Sequence, residues 1–415
     1  MKILSIETSC DDTGISILEC KESNLRHGVD VTFKVLADSL SSQTKIHTQY
    51  GGVFPMLAKR EHIKNLPILL KKVMKKVGFK APQGKTFLNS QGLFFSRFVD
   101  MIAVTSGPGL EPALWTGIVF AKELGEKWKV PVIPVNHMEG HILSVFAKTK
   151  GKFSIPKIEF PAISLLVSGG HTELVLTQNL IKHKIIGQTL DDAAGEAFDK
   201  VARMLDLPYP GGPQISKLAE KLREQGNNKI NLREIENQTL QGRNFSAKKF
   251  AQSSSRRPAE SLKSLFSISL PRPMLYSKNF DFSFSGLKTA VLYLIQKIGP
   301  PNGEASPLDE KTKMAITKEF EDSVVEVLTK KTLDAVEKYG AKTLIVAGGV
   351  SANKELRKII KKEAKKNKLK LKILFPSKKL STDNAVMIGV AGYFKSKRMD
   401  INKKQKIKAD GRLSF

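Results

Sequence analysis

Two histidines, His137 and His141, stand four residues apart in the stretch PVIPVNHMEGHILSV at 131–145, directly after a short apolar run that reads as a strand ending in a loop. On a helix, positions i and i+4 are offset by about 40° and share one face, so both imidazoles point the same way. A pair placed like this suits a single divalent cation. Glu139 falls on the far side of the same helix. Zinc proteases of the His-Glu-x-x-His kind need their glutamate immediately after the first histidine, as general base. Met138 stands there instead. The spacing therefore speaks for a metal and against that protease chemistry. The plain alternative is a solvated helix that happens to carry two histidines.

A metal held by two histidines wants a third ligand. Near the other end of the chain, Ser381, Thr382, Asp383 and Asn384 precede the apolar run AVMIGVAGYF. Any of the four can cap the helix that run predicts, which is the usual reason for such a cluster. A carboxylate at a helix start is also a good ligand, and Asp383 is the candidate. Another carboxylate, Asp199, lies in a helical stretch at 193–205. Asp191 and Asp192 suit the cap and first turn of that helix, and Pro-Gly-Gly-Pro at 210–213 stops it. Taken by itself, Asp199 reads as an ordinary solvated acid.

The elements that must position these residues show a repeat. ILSIETSCDDTGISILEC at 3–20 reads as two short strands around a polar turn that contains Asp11. AISLLVSGGHTELVL at 162–176 has the same design, with Ser168, Gly169 and Gly170 in the turn. Glycines there let a backbone approach an anion and offer its N–H groups. Each hairpin is followed at a distance by a strand, a glycine loop and a helix, at 99–122 and again at 341–362. Matching order in two halves suggests an internal duplication. It is the layout of the duplicated actin/Hsp70/sugar-kinase ATPase (ASKHA) α/β fold, two RNase H-like domains with a ligand cleft between them. The expected division is 1–133 and 134–394, with a helix at 385–395 available to close the first half, and 395–415 as a basic tail. A polar stretch at 225–268 without periodicity reads as an insertion, and 84–98 as a shorter one.

At 415 residues the chain is long enough for two or three domains. No apolar run approaches the roughly 20 residues that span a bilayer. Strand-like residues begin at Lys2, and Cys10 and Cys20 have no metal-type spacing. The expectation is a cytoplasmic protein without a membrane partner. The formal net charge of +28 and a pI near 9.8 are unusual and point to a polyanion such as nucleic acid. Residues 354–372 hold ten Lys/Arg against two Glu, at spacings that suit the outer face of a helix. This is either a phosphate-tracking stripe or a solvated face, and the reading leans to the stripe.

Taken together, IETSCDDTG (6–14), YGGVFP with A-x-R-x-H (50–62), SGPGL (106–110), NHMEGH (136–141), LVSGGHTEL (166–174), DDAAGEAFDK (191–200), YPGGP (209–213), DFSFSGLKT (281–289), GGVSAN (348–353) and STDNAVMI (381–388) resemble one family in its order. It is the family of tRNA threonylcarbamoyladenosine-forming transferases, called TsaD in bacteria and once named glycoproteases. The resemblance implies that His137, His141 and Asp383 hold one divalent metal ion, Fe(II) first and Zn(II) as the alternative. It implies that Leu166, Val167, Ser168, Gly169, Gly170, Asp199, Gly212 and Asn353 bind the adenylate substrate, threonylcarbamoyl-AMP. The activity it implies is transfer of the threonylcarbamoyl group to N6 of adenosine 37 in tRNAs that read ANN codons. The partners it implies are tRNA, TsaB and TsaE, with TsaC making the adenylate. The chemistry is consistent: N6 of adenine is a weak nucleophile, so the acyl donor must be activated, and AMP leaves well. Asp11 is the candidate proton acceptor or positioning group. The rivals are a small-molecule kinase of the same fold, which gives no reason for the histidine pair, a metalloprotease, and a non-catalytic scaffold subunit, which needs no ligand set.

Overall fold

The structure is a computed structural model and describes residues 1–25, 28–79, 98–179, 182–225, 268–298, 308–400 and 406–415. The segments 225–268 and 84–98, expected as insertions, lie outside the described residues apart from their ends.

Two sheets carry the chain. The first comprises β1 (Lys2–Glu7), β2 (Asp12–Leu25), β3 (Gly28–Ser42), β4 (Met101–Gly107), β5 (Val132–Asn136) and β6 (Gly151–Ser154), in the order β5-β4-β1-β2-β3-β6. The second comprises β7 (Ala162–Val167), β8 (Thr172–Thr177), β9 (His183–Gln188), β10 (Thr343–Ala347) and β11 (Lys372–Leu374), in the order β11-β10-β7-β8-β9. β1 runs antiparallel to β2 and parallel to β4, and β7 runs antiparallel to β8 and parallel to β10. β2–β3 and β8–β9 are again antiparallel, whereas β4–β5 and β10–β11 are parallel. Five strands of the first sheet thus repeat in the second with the same order and sense.

The central strands explain themselves by burial. β4 and β7 are buried at every position, as expected of strands covered on both faces, and so read as continuous apolar runs. The paired hairpins lie where the sequence puts them, but β2 and β3 extend much further than 3–20 suggests. The first sheet also continues past the division expected at 133. β6 pairs with β3, and the second sheet starts only at Ala162.

Helices α2 (Pro55–Lys76) and α3 (Glu111–Trp128) cover one face of the first sheet through Leu66, Leu70, Ile118 and Trp128. Between the sheets lies a second core. It takes Met138 and Ile142 from α4 (His137–Ser144), Val386 and Val390 from α10 (Ala385–Ser396), and Leu166 and Ile345 from the second sheet. α10 is apolar on nearly all sides and is buried almost throughout, which fits a helix enclosed between layers. The outer face of the second sheet packs on α5 (Ala194–Met204), α6 (Gly211–Glu224) and α8 (Glu310–Lys338).

Residues 395–396 finish α10 rather than starting a tail, and 406–415 pack back on the first half. Ile407 is buried in its core, Asp410 N donates to Ser106 O, and Gly109 N donates to Gly411 O. Gly107 has φ +152, and a Cβ there would sit 1.9 Å from Asp410 O, so only glycine admits this approach.

Candidate active site

α4 begins where β5 ends, and its start is set by one side chain. Asn136 Oδ1 accepts from Met138 N at 2.8 Å and from Glu139 N at 3.4 Å, while its Nδ2 donates to Ser414 O at 3.2 Å. This cap aims the first turn, and with it His137, into the gap between the sheets. At Gly140 the helix lies tightly against α10, where an added Cβ would meet Met387 Cγ at 3.1 Å. On α10 the cap is Asn384, whose Oδ1 accepts from Met387 N at 2.9 Å. Of the four capping candidates, Asn384 takes that work, and Asp383 turns towards the histidines.

The three side chains meet at one point. His137 Nε2 and His141 Nε2 each lie 3.3 Å from Asp383 Oδ1, and the two rings stand edge to face with centroids 4.6 Å apart. One ligand atom from each of the three lies within 4.8 Å of the others. Both nitrogens of His141 are shut off from solvent, and neither is aligned in a hydrogen bond. On its other side His137 Nδ1 lies 3.1 Å from Glu7 Oε2. Burial opposes a charge on His137, but Glu7 and Asp383 outweigh it and push its pKa up to about 10. Burial and the His137 charge lower that of His141, against Asp383. Burial would raise Asp383, yet the two histidines hold it far below the usual carboxylate range. Two buried imidazoles and one half-buried carboxylate converging on one point suit a dication as the group that satisfies them together. Glu139 stays outside this cluster, its carboxyl raised by burial and opposed by Arg398 and Lys395.

The other expected residues line the gap in different ways. Asp11, on the β1–β2 turn, is raised by burial and then by Asp383. Its charge also raises Tyr209 and, last among several causes, Asp199 of the second half. The turn is pinned from behind, since His62 Nε2 lies 3.0 Å from Cys10 O and His62 Nδ1 lies 2.8 Å from Thr13 Oγ1. Leu166 and Val167 bury their side chains in the cores and leave only backbone for a ligand. Ser168 closes the turn, with its N donating to His171 O and its Oγ accepting from His171 N. Added Cβ atoms at Gly169 and Gly170 would meet nothing within 4 Å, and one at Gly212 would only graze Phe198; these backbones face open space. Asp199 Oδ1 accepts from Gly211 N at 2.7 Å, so it shapes the start of α6 and is no free surface acid. Asn353 caps α9 (Lys354–Lys366) and donates to Ser216 Oγ and Glu321 Oε1.

One local expectation fails. Asp191 and Asp192 do not cap α5, whose N-cap is Ala193 without a side-chain bond. Asp191 instead accepts from Ser283, Ser285 and the Phe284 N–H, and Asp192 pairs with Lys200. Sequence reasoning also passed over Glu7, Thr105 and Asn136. A glutamate closing an otherwise apolar strand was the available signal for Glu7. His171 was likewise missed; burial lowers its pKa to about 4, helped by His137 and His141.

The chain matches the family described as "TsaD: tRNA N6-adenosine threonylcarbamoyltransferase" over residues 34–256 and 246–390. It is 39% identical over 397 residues to a tRNA N6-adenosine threonylcarbamoyltransferase of Chromobacterium violaceum, covering 96% of this chain and 94% of that one. A protein of the same name from Thermosipho africanus is 38% identical over 393 residues, covering 95% and 94%. Among solved structures, a crystal structure of T. kodakarensis HypF matches with a TM-score of 0.43 and 14% identity, over 95% of this chain and 47% of that one.

Proposed function

This chain belongs to the tRNA N6-adenosine threonylcarbamoyltransferase family, and from that premise we propose how its cleft performs the transfer. The protein is a transferase that forms N6-threonylcarbamoyladenosine in tRNA. The donor we assign is threonylcarbamoyl-AMP, and the acceptor is N6 of adenosine 37 in tRNAs that read ANN codons. The N6 lone pair attacks the carbamoyl carbonyl, the bond to the phosphate oxygen breaks, AMP leaves with that electron pair, and N6 gives up a proton.

The observation that carries the reading is the convergence of His137, His141 and Asp383 on one point, close enough to the open Ser168–Gly170 turn that both histidines act on His171 at its end. These three residues would hold one divalent ion, Fe(II) or alternatively Zn(II). When bound, it supplies Lewis-acid polarisation and anchorage for the threonylcarbamoyl group. The backbone N–H groups at Gly169 and Gly170 would face the adenylate phosphate or a developing oxyanion. Leu166 and Val167 would supply only main chain to the adenylate, and Asp199 and the start of α6 at Gly212 would hold its other side. Asn353 frames the site through the start of α9. Asp11 is the proton acceptor, and burial beside Asp383 makes its carboxylate a stronger base than one in water. In this reading the two like-ordered sheets are the RNase H-like halves of the actin/Hsp70-type ATPase fold.

The partners we assign are TsaB and TsaE, with TsaC supplying the adenylate in a cytoplasmic setting. α2 and α3 pack together and leave Ile63, Ile68, Trp115 and Val119 exposed. An apolar face of this kind is a protein-binding surface, and we assign it to TsaB. Among the described residues no helix is long and apolar enough to cross a membrane.

The test is transfer to an ANN-decoding tRNA carrying A37, with a G37 transcript as control. Wild-type protein with its partners modifies only the first, and His141→Ala modifies neither. An active His141→Ala would sink the reading.

A further inference from the structure

Beneath the histidine pair, three donors converge on one buried acid. Glu7, the last residue of β1, is 0% exposed. Its Oε1 accepts from Ser9 N at 2.5 Å, and its Oε2 faces Thr105 Oγ1 at 2.7 Å and His137 Nδ1 at 3.1 Å. A carboxylate only accepts, so the hydrogen on this side of His137 sits on Nδ1. The other ring nitrogen, Nε2, lies 3.3 Å from Asp383 Oδ1, to which His141 Nε2 also points, and on that side a bound cation would take the place of the Nε2 hydrogen.

We propose that Glu7 is a positioning residue of the cation site, holding His137 in the one tautomer and ring orientation that leave Nε2 free to ligate. The inference rests on the metal reading given above and adds a residue to it. Ligating histidines generally hand their second N–H to a carboxylate or carbonyl, which fixes the tautomer and raises ligand basicity. Glu7 is built for this because both its oxygens are committed. Glutamine in its place faces a conflict. With its NH2 at the Oε1 position it opposes the Ser9 N–H, donor against donor. With its NH2 at the Oε2 position it donates to His137 Nδ1 and drives the hydrogen onto Nε2, where it blocks the cation.

The test measures binding of Zn(II) alone to the full chain, by competition with a chromophoric chelator, alongside the melting temperature of the metal-free protein. Glu7→Gln is expected to weaken Zn(II) binding by about 10–100-fold. Thr105→Val removes one partner of Glu7 without touching His137, so it should lower the melting temperature and leave zinc affinity unchanged. If Thr105→Val weakens zinc as much as Glu7→Gln, Glu7 is merely structural and the proposal falls. If His141→Ala loses zinc while Glu7→Gln keeps wild-type affinity, the positioning role falls and the cation site stands. Wild-type affinity in both variants overturns the cation site itself. Should Glu7→Gln fail to fold, histidine ¹⁵N shifts of the zinc-loaded wild-type protein decide. Ligation through Nε2 with a protonated Nδ1 on His137 supports the proposal, and ligation through Nδ1 overturns it.

Discussion

His141 is the residue with least reason to be where it is unless something binds it, since both its ring nitrogens are buried and unaligned with any hydrogen-bond partner. His137→Ala, His141→Ala and Asp383→Ala should each empty the same site, so double variants should lose no more metal or transfer activity than single ones. Metal content by elemental analysis checks this, and additive losses would mean the three do not act as a unit. Glu139→Gln should keep its metal, because that side chain faces Lys395 and Arg398 on the far side of α4. Glu173 offers a prediction about pH. Burial alone raises its carboxyl from 4.5 to about 7, and Oε2 finds no partner among the described residues. The folded protein therefore keeps this proton up to about pH 7, whereas the unfolded chain releases it near 4.5. On this account stability is fullest below pH 4.5, declines from there to pH 7 and is level above it. Glu173→Gln should remove that decline, gaining on the order of 3 kcal/mol at pH 8 and nothing at pH 4. Denaturant titrations at the two pH values measure it, and an equal effect at both would show that the carboxyl is not the cause.

At the scale of elements, α9 turns Leu356, Ile360 and Ala364 inward and exposes Lys361, Lys362, Lys365 and Lys366. Changing these four lysines to glutamine should weaken tRNA binding. It should also flatten the plot of log K against log salt by about 0.7–0.9 for each phosphate no longer neutralised. An unchanged slope would make the stripe a solvated face. The same helix shows how much the sequence could tell. Its period and its glycine-rich entry were legible, as were both hairpins, both strand–glycine–helix units and the histidine pair, because each is a local pattern. Asp383 was legible as the ligand candidate among four possible caps, but that Asn384 does the capping and leaves Asp383 to the histidines depends on the packing of α4 against α10, which no local period encodes. Asp191 shows the converse. It sits where a cap belongs, but Ser283, Ser285 and Phe284 arrive from far along the chain and take its carboxylate. β3 was missed because its pairing with β2 stabilises it more than its own alternation announces. Glu7 stayed hidden because its partners come from β4 and α4.

For the whole molecule, the repeated strand order places the site between two halves, and none of its residues comes from the segment 226–267. Replacing that segment with a short Gly/Ser linker should leave the melting temperature and metal content intact, since its composition offers little apolar surface and loop length costs free energy only logarithmically. A fall of many degrees in a thermal melt would refute this. The sequence positions of the three converging side chains have a consequence for synthesis. The histidines are made well before Asp383, and at about 5–20 residues per second the interval is roughly 10–50 s. Residues 406–415, which complete the bonding of Asn136, emerge later still. A ribosome that stops before residue 383 releases a chain with both histidines and no third ligand. If the three residues hold an ion as proposed, its retention would report that translation has reached the far end of the chain, and truncated products would stay unloaded.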